Sequence, residues 1–261
     1  MEFRDKVVAI TGASGGIGRE LCKYFGKQGA AIAAFDKSHA VTAFGEQLRG
    51  DGIRIEAAVV DIGDATAVGS AFAKATSALG RVDILINNAG VTRHPSLEHT
   101  TPEGFDEDVH VNLNGAYNCA YAVLPGMRAR RGGAIVNIGS VNGLAALGDA
   151  AYSAGKAGLI SLTKALALEF GRYNIRANIV CPGTVRTPIW DERLSRNREV
   201  LSQLTRWYPL GRIVEPIEVM RAVAFLASDA ASAITGVVLP VDCGLTAGNI
   251  VMARELTLED F

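Results

Sequence analysis

VVAITGASGGIG, residues 7–18, runs an apolar segment straight into a turn with glycines at 12, 15, 16 and 18. RELCKYFGKQG (19–29) then carries its apolar side chains at helical spacing. Strand, glycine turn and helix in that order make the opening of a βαβ unit. Gly12, Gly16 and Gly18 fall where the backbone must turn tightly, approach a pyrophosphate, and let the helix pack close to the sheet. The helix start offers free N–H groups and a positive dipole end to such a phosphate. An ordinary strand–helix connection makes similar demands, so the surrounding pattern has to carry the reading.

That pattern repeats. Short apolar runs occur at Val7–Thr11, Ala30–Asp36, Ile53–Asp61, Val82–Gly90, Gly133–Ser140, Ile175–Gly183 and Val237–Asp242. Several are continuously apolar, as strands covered on both faces should be. Helical patterns lie between them, for example Ala65–Leu79, Pro102–Arg130, Tyr152–Tyr173 and Pro216–Ser228. The alternation predicts an α/β fold: one domain, 1–261, with a doubly wound, parallel, seven-stranded sheet and helices on both faces. Residues 186–211 break the rhythm with a polar helical stretch holding Trp190, Trp207 and Tyr208. It reads either as a surface excursion or as a substrate lid, because it follows a strand's C-terminal end, where ligands bind in open α/β sheets.

Composition narrows the partners. With 26 basic and 27 acidic side chains the net charge is −1, which favours neither nucleic acid nor an anionic membrane surface. Cys22, Cys119, Cys181 and Cys243 are scattered without metal-binding spacing, so they read as reduced, mostly buried side chains, and no metal is expected. No apolar run reaches membrane-spanning length and the N-terminus has no signal-peptide pattern. The expectation is a cytoplasmic protein.

Four further positions suggest chemistry. Asp36 ends the second run, 18 residues after Gly18, where a carboxylate can accept both ribose hydroxyls of an adenosine. That favours NAD over NADP, whose 2′-phosphate would meet the same charge. The ammonium of the next residue, Lys37, is a complication, since it can swing toward a phosphate. Tyr152 and Lys156 stand four residues apart on one helix, hence on one face. A nearby ammonium favours the phenolate and lowers the tyrosine pKa from about 10, the tuning that proton transfer needs. Ser140 ends the fifth run and can hold a substrate oxygen against that hydroxyl; it also suits a plain strand-end cap. The amides of Asn87 and Asn88 can equally satisfy backbone groups at a strand end.

Together these residues closely resemble the short-chain dehydrogenase/reductase family over nearly the whole chain. TGASGGIG, Asp36, Asp61, NNAG (87–90), Asn112 in VNLNG, Ser140, Tyr152-x-x-x-Lys156 and PGTVRT (182–187) occur in family order. The resemblance implies a Rossmann fold and a hydride-transferring oxidoreductase in which Tyr152 is the general acid/base and Ser140 orients the reacting oxygen. Lys156 tunes the tyrosine and holds the nicotinamide ribose, and Asn112 holds a water that relays protons through Lys156. The implied cofactor contacts are Gly12, Ser14, Gly16, Ile17, Gly18, Asp36, Asp61, Ile62, Asn88, Ala89, Gly90, Tyr152, Lys156, Pro182, Gly183, Val185 and Thr187. Ser140 and Tyr152 stand one residue closer than is common in the family, which suggests a trimmed substrate loop. The tail 244–261 exceeds the minimal pattern and can reach a neighbouring subunit; the family implies a tetramer or dimer, with the helices after strands four and five at interfaces.

Candidate substrate-lining residues are Arg93, His94, Ser140, Asn142, Leu144, Tyr152, Arg186, Trp190 and Trp207. This polar, partly cationic set favours a small alcohol or ketone such as a sugar, polyol or hydroxy acid. The nearest alternative is an NADPH-dependent 3-oxoacyl-[acyl-carrier-protein] reductase, against which Asp36 argues. An idle nucleotide-binding protein is a third reading, against which the complete Ser–Tyr–Lys set argues.

Overall fold

The computed structural model describes residues 1–94 and 96–259. In chain order the strands are β1 (Val7–Thr11), β2 (Ala31–Asp36), β3 (Ile55–Val59), β4 (Ile84–Asn87), β5 (Gly133–Ile138), β6 (Ile175–Pro182) and β7 (Val238–Val241). The helices are α1 (Gly16–Lys27), α2 (Ala40–Gly50), α3 (Ala65–Leu79), α4 (Pro102–Val109), α5 (Gly115–Arg130), α6 (Ala150–Phe170), α7 (Asp191–Arg196), α8 (Val200–Leu204), α9 (Pro216–Ala227) and α10 (Ile250–Thr257). All seven strands form one parallel sheet in the order β3-β2-β1-β4-β5-β6-β7. The chain winds outward from β1 to β3, then returns to β4 and winds the other way. The crevice between β1 and β4 is therefore the switch point at which such sheets bind ligands.

The two-residue period of the strands sorts the core. Val8 and Ile10 of β1 join Ile32 and Ala34 of β2 on one face, against Leu21 and Phe25 of α1, Phe44 and Leu48 of α2, and Val219 and Val223 of α9. Val7, Ala9, Ala33 and Phe35 face the opposite way, onto Val68 and Phe72 of α3, Val123 and Met127 of α5, and Leu166 of α6. Burial on both faces explains the unbroken apolar runs of β1 and β2.

Several elements end sooner than the sequence suggests. β3 stops at Val59 because its partner β2 stops opposite, at Asp36. β4 stops at Asn87 because the N–H groups of Asn88 and Ala89 leave the ladder and donate to Thr11 Oγ1, each at 3.0 Å. The expected helix 102–130 is interrupted by a five-residue π-helical segment, His110–Asn114, between α4 and α5. In the tail, α10 starts on an Asn249 cap whose Oδ1 accepts the Met252 N–H. No helix among the described residues is long and apolar enough to cross a membrane.

Candidate active site

A cleft of about 460 Å³ opens over the switch point. Its floor is the glycine turn. Gly12 has φ +62°, and a Cβ there would lie 2.9 Å from Ala89 Cα and from Asn88 Nδ2. At Gly18 a Cβ would sit 2.1 Å from the Gly12 carbonyl oxygen, so α1 can approach the turn only without a side chain. Gly15 caps α1 in an extended conformation with no side-chain cap bond, leaving first-turn N–H groups for an anion. Asn88 Nδ2 donates to the Thr11 and Gly12 carbonyls, both at 3.0 Å. Its amide thus ties β4 to the turn, the strand-end role that its position also allowed.

The two acidic residues sit at one end of this cleft. Asp36 Oδ2 accepts from Ser14 N–H at 2.9 Å and Ser14 O–H at 2.7 Å, while Oδ1 accepts from Ser38 N–H at 2.9 Å. Asp61 Oδ1 accepts from Gly63 N–H at 3.0 Å and Oδ2 accepts from Lys37 Nζ at 2.6 Å. The Lys37 ammonium is the main reason that Asp61 lies below the usual carboxylate range.

Behind Gly90 of the cleft wall, Ser140, Tyr152 and Lys156 come together. Lys156 is buried, and its Nζ donates to the Ile138 carbonyl at 2.8 Å, 5.5 Å from the Tyr152 ring centre. Burial pushes Lys156 down to about 8. Burial also pushes Tyr152 up, and the Ser140 hydroxyl against the phenol offsets this only in part. The sequence reading expected Lys156 to lower the tyrosine; among the chain's own groups desolvation dominates instead. Ser140 also accepts the Asn142 N–H at 3.1 Å, and Asn142 Nδ2 fastens the loop to the Gly148 carbonyl.

Asn112 projects from the π-helical segment, a local overwinding that often marks functional positions. Its Nδ2 donates to the carbonyls of Val91 at 2.7 Å and Asp108 at 2.8 Å. A Cβ at Gly90 would lie 2.8 Å from Asn112 Oδ1 and 3.2 Å from Lys156 Nζ. Glycine there leaves open the point on which both side chains converge.

Most expected cofactor contacts line the cleft: Gly12, Ser14, Gly16, Ile17, Asp36, Asp61, Ile62, Asn88, Ala89, Gly90 and Thr187. Gly18 works behind the wall by admitting the helix. Tyr152, Lys156, Pro182, Gly183 and Val185 are not on the wall: Lys156 is buried behind Gly90, Gly183 N–H is taken by the Val241 carbonyl, and Val185 is buried at a bridge to Val214. The cleft wall also contains Arg19, which the sequence reading passed over although it directly follows Gly18. Arg19 Nε donates to the Ser14 carbonyl at 2.8 Å and its guanidinium lies 4.4 Å from the Phe44 ring centre.

The substrate candidates separate into two groups. Arg93 lines the cleft, but its charge is answered by Glu107 at 3.4 Å and the buried Asp108 at 3.7 Å. His94 lies over Gly104, where a Cβ would be 2.7 Å from Nε2. Arg186 points away into an ion pair with Glu215 at 2.9 Å. Trp190 and Trp207 pack around Leu201, Tyr208 and Ile213 in a small separate cluster, rather than on the cleft wall. Apolar rings gain more from that shared burial than from facing a wet cleft.

The comparisons agree with this geometry. A family model described as enoyl-(acyl carrier protein) reductase matches residues 12–246. An uncharacterized oxidoreductase of Schizosaccharomyces pombe is 42% identical over 261 residues, covering 100% of this chain and 98% of that protein. The crystal structure of a short-chain dehydrogenase/reductase family oxidoreductase from Burkholderia thailandensis is 49% identical, with a TM-score of 0.93 over 98% of each chain. A gluconate 5-dehydrogenase from Burkholderia cenocepacia, solved in complex with NADP and tartrate, is 34% identical, with a TM-score of 0.87 over 95% of this chain and 98% of that one. With the glycine turn at the switch point and the Ser140, Tyr152 and Lys156 side chains brought together beside it, these matches place the chain in the short-chain dehydrogenase/reductase family of oxidoreductases.

Proposed function

We propose that this chain interconverts a secondary alcohol and a ketone on a small polar substrate, with NAD(H) as cofactor and Tyr152 as general acid/base. The observation that carries this reading is the convergence of Ser140, Tyr152, Lys156 and Asn112 behind Gly90, which lies on the wall of a cleft that also presents Asp36. The cradle fits a dinucleotide: a backbone turn closed to side chains, a bare helix start for the pyrophosphate, and a fixed carboxylate for the ribose. When bound, the nicotinamide supplies or removes the hydride. The chain's own residues handle the proton. Ser140 Oγ holds the substrate oxygen, Tyr152 Oη gives or takes its proton, and Lys156, pushed down to about 8 by burial, passes that proton to or from the Asn112 side.

A sugar or polyol suits the site better than a strongly anionic substrate, because two carboxylates already offset Arg93. The likeness to a gluconate 5-dehydrogenase supports an oxygen-rich substrate and, gluconate being a carboxylate, keeps a hydroxy acid among the candidates. A 37% likeness over 248 residues to a 3-oxoacyl-[acyl-carrier-protein] reductase of Thermotoga maritima, together with Arg19 and Lys37 on the cleft wall, keeps an NADPH-dependent reductase of that kind as a second reading. Following reduced-nicotinamide absorbance with NAD and NADP across sugars, polyols, hydroxy acids and a 3-oxoacyl thioester decides between them. Turnover of the thioester alone, with NADPH, would replace the first reading by the second.

Residues 186–211 are proposed as the substrate lid. Thr187 and Pro188 lie on the cleft wall, and the segment beyond them is held by its own cluster rather than by the main core. Amide exchange across this segment is expected to slow when cofactor and substrate are both bound; unchanged exchange overturns the lid. The chain is also proposed to form a homo-oligomer through α5 and α6, which leave Tyr117, Tyr121 and Leu168 exposed at 49%, 67% and 85%.

A further inference from the structure

Two carboxylates and one ammonium meet at the adenosine end of the cleft, and the ammonium has chosen between them. Lys37 directly follows Asp36, yet its Nζ sits 2.6 Å from Asp61 Oδ2. Asp36 is already served: its two oxygens take the Ser14 N–H, the Ser14 O–H and the Ser38 N–H. These bonds orient the carboxylate without neutralising it. Asp61, at the end of the neighbouring strand, has one backbone donor and the ammonium.

The other cations on the cleft wall have two partners each. Arg19 is fastened to the Ser14 carbonyl and stacked on Phe44, and Arg93 stands toward the other end with Glu107 and Asp108. Lys37 is held by one exposed ion pair, with side chains 71% and 41% accessible.

We propose that Asp61 is a specificity-determining positioning residue that holds the Lys37 ammonium away from the ribose edge of Asp36, so that the cleft meets a 2′-phosphate with an unneutralised carboxylate. The inference rests on the reading of Asp36 as the ribose carboxylate. In this arrangement Asp36 supplies the repulsion and Asp61 removes the counter-charge that would cancel it. Losing either lowers the discrimination, but only the loss of Asp61 acts through Lys37. An exposed ion pair contributes little, so the effect is modest, about three- to fivefold in relative affinity.

The test is a double-mutant cycle read as the ratio of NADP to NAD dissociation constants, measured by calorimetry on the full chain. Asp61→Asn keeps an oxygen for the Gly63 N–H and removes the charge. It is expected to shift the ratio about three- to fivefold toward NADP, whatever it does to both affinities together. Lys37→Met alone should move the ratio less than about twofold, because the ammonium is already held elsewhere. In the double variant the Asp61→Asn shift should vanish. An unchanged ratio in Asp61→Asn, or a shift that survives Lys37→Met, overturns the proposal, and the second result points to the charge of Asp61 itself instead. A wild-type preference for NADP would instead overturn the Asp36 reading, and the cycle reports on Lys37 and Asp61 separately from that. Melting temperatures of the three variants within a few degrees of wild type establish that the ratios come from folded protein.

Discussion

Tyr152→Phe lowers kcat by about 10²–10⁴-fold while leaving the dissociation constant for NAD within about twofold of wild type. Phenylalanine keeps the ring, its packing and its place beside Lys156, whose Nζ lies 5.5 Å from the ring centre. Only the group that exchanges a proton with the substrate oxygen is lost. General acid/base catalysis is worth about that factor, or roughly 3–5 kcal/mol of barrier. The pH dependence has a definite sign. Alcohol oxidation needs an unprotonated phenolate, so its rate should rise with pH, and burial sets that rise higher than for a free phenol in the absence of other charges. Ketone reduction needs the protonated phenol and should fall over the same interval. In the Phe variant both slopes should disappear together with the rate. Single-turnover measurements of NADH formation across pH, on wild type and variant, read these outcomes. Activity within about tenfold of wild type would remove Tyr152 from its proposed role.

How much of this was legible in the sequence depends on how local each feature is. β1 and α3 have the boundaries their residues suggest, because five consecutive buried side chains and an unbroken amphipathic repeat are local signals. The glycine turn was readable for the same reason: each glycine answers a steric demand within a few residues or from the adjoining strand. The π-helical segment at Asn112 was not. An overwound turn leaves apolar residues at spacings that an ordinary helix also tolerates, and α4, the segment and α5 read as one helix. Long-range choices were equally hidden. Nothing near Lys37 tells that it pairs 24 residues away with Asp61, nor near Arg186 that Glu215, 29 residues on, will draw it off. The chain's own contribution to the tyrosine pKa was hidden for a related reason. Spacing on a helix places an ammonium beside a phenol, but it says nothing about the depth of burial, which decides the sign.

Asp36→Ser is expected to shift the ratio of kcat/KM for NADP over NAD by about 10–10³-fold toward NADP. In wild type a 2′-phosphate would stand about 4 Å from the Asp36 carboxylate, and two like charges at that distance repel by roughly 4 kcal/mol at an effective dielectric near 20. Screening and small movements of the loop reduce this to about 1.4–4 kcal/mol, which sets the range of the ratio. Serine removes the charge and leaves a hydroxyl that can still meet a ribose or a phosphate oxygen. The same substitution removes the acceptor for the Ser14 N–H, the Ser14 O–H and the Ser38 N–H, so the turn loosens and both cofactors bind less tightly. The ratio, rather than either affinity, is therefore the quantity that reports on the charge. Lys37 limits the gain. It remains paired with Asp61 in this variant, and a flexible ammonium grips a phosphate less specifically than a guanidinium fork. Arg19 is better placed to profit, since it is already anchored beside Ser14 and its fork lies on the same wall of the cleft. Combining Asp36→Ser with Arg19→Met should then return part of the shift, which steady-state kinetics with each cofactor can read directly. Wild-type protein with equal or better kcat/KM for NADP would show that Asp36 does not discriminate as assigned, and would bring the reductive, NADPH-dependent reading to the front.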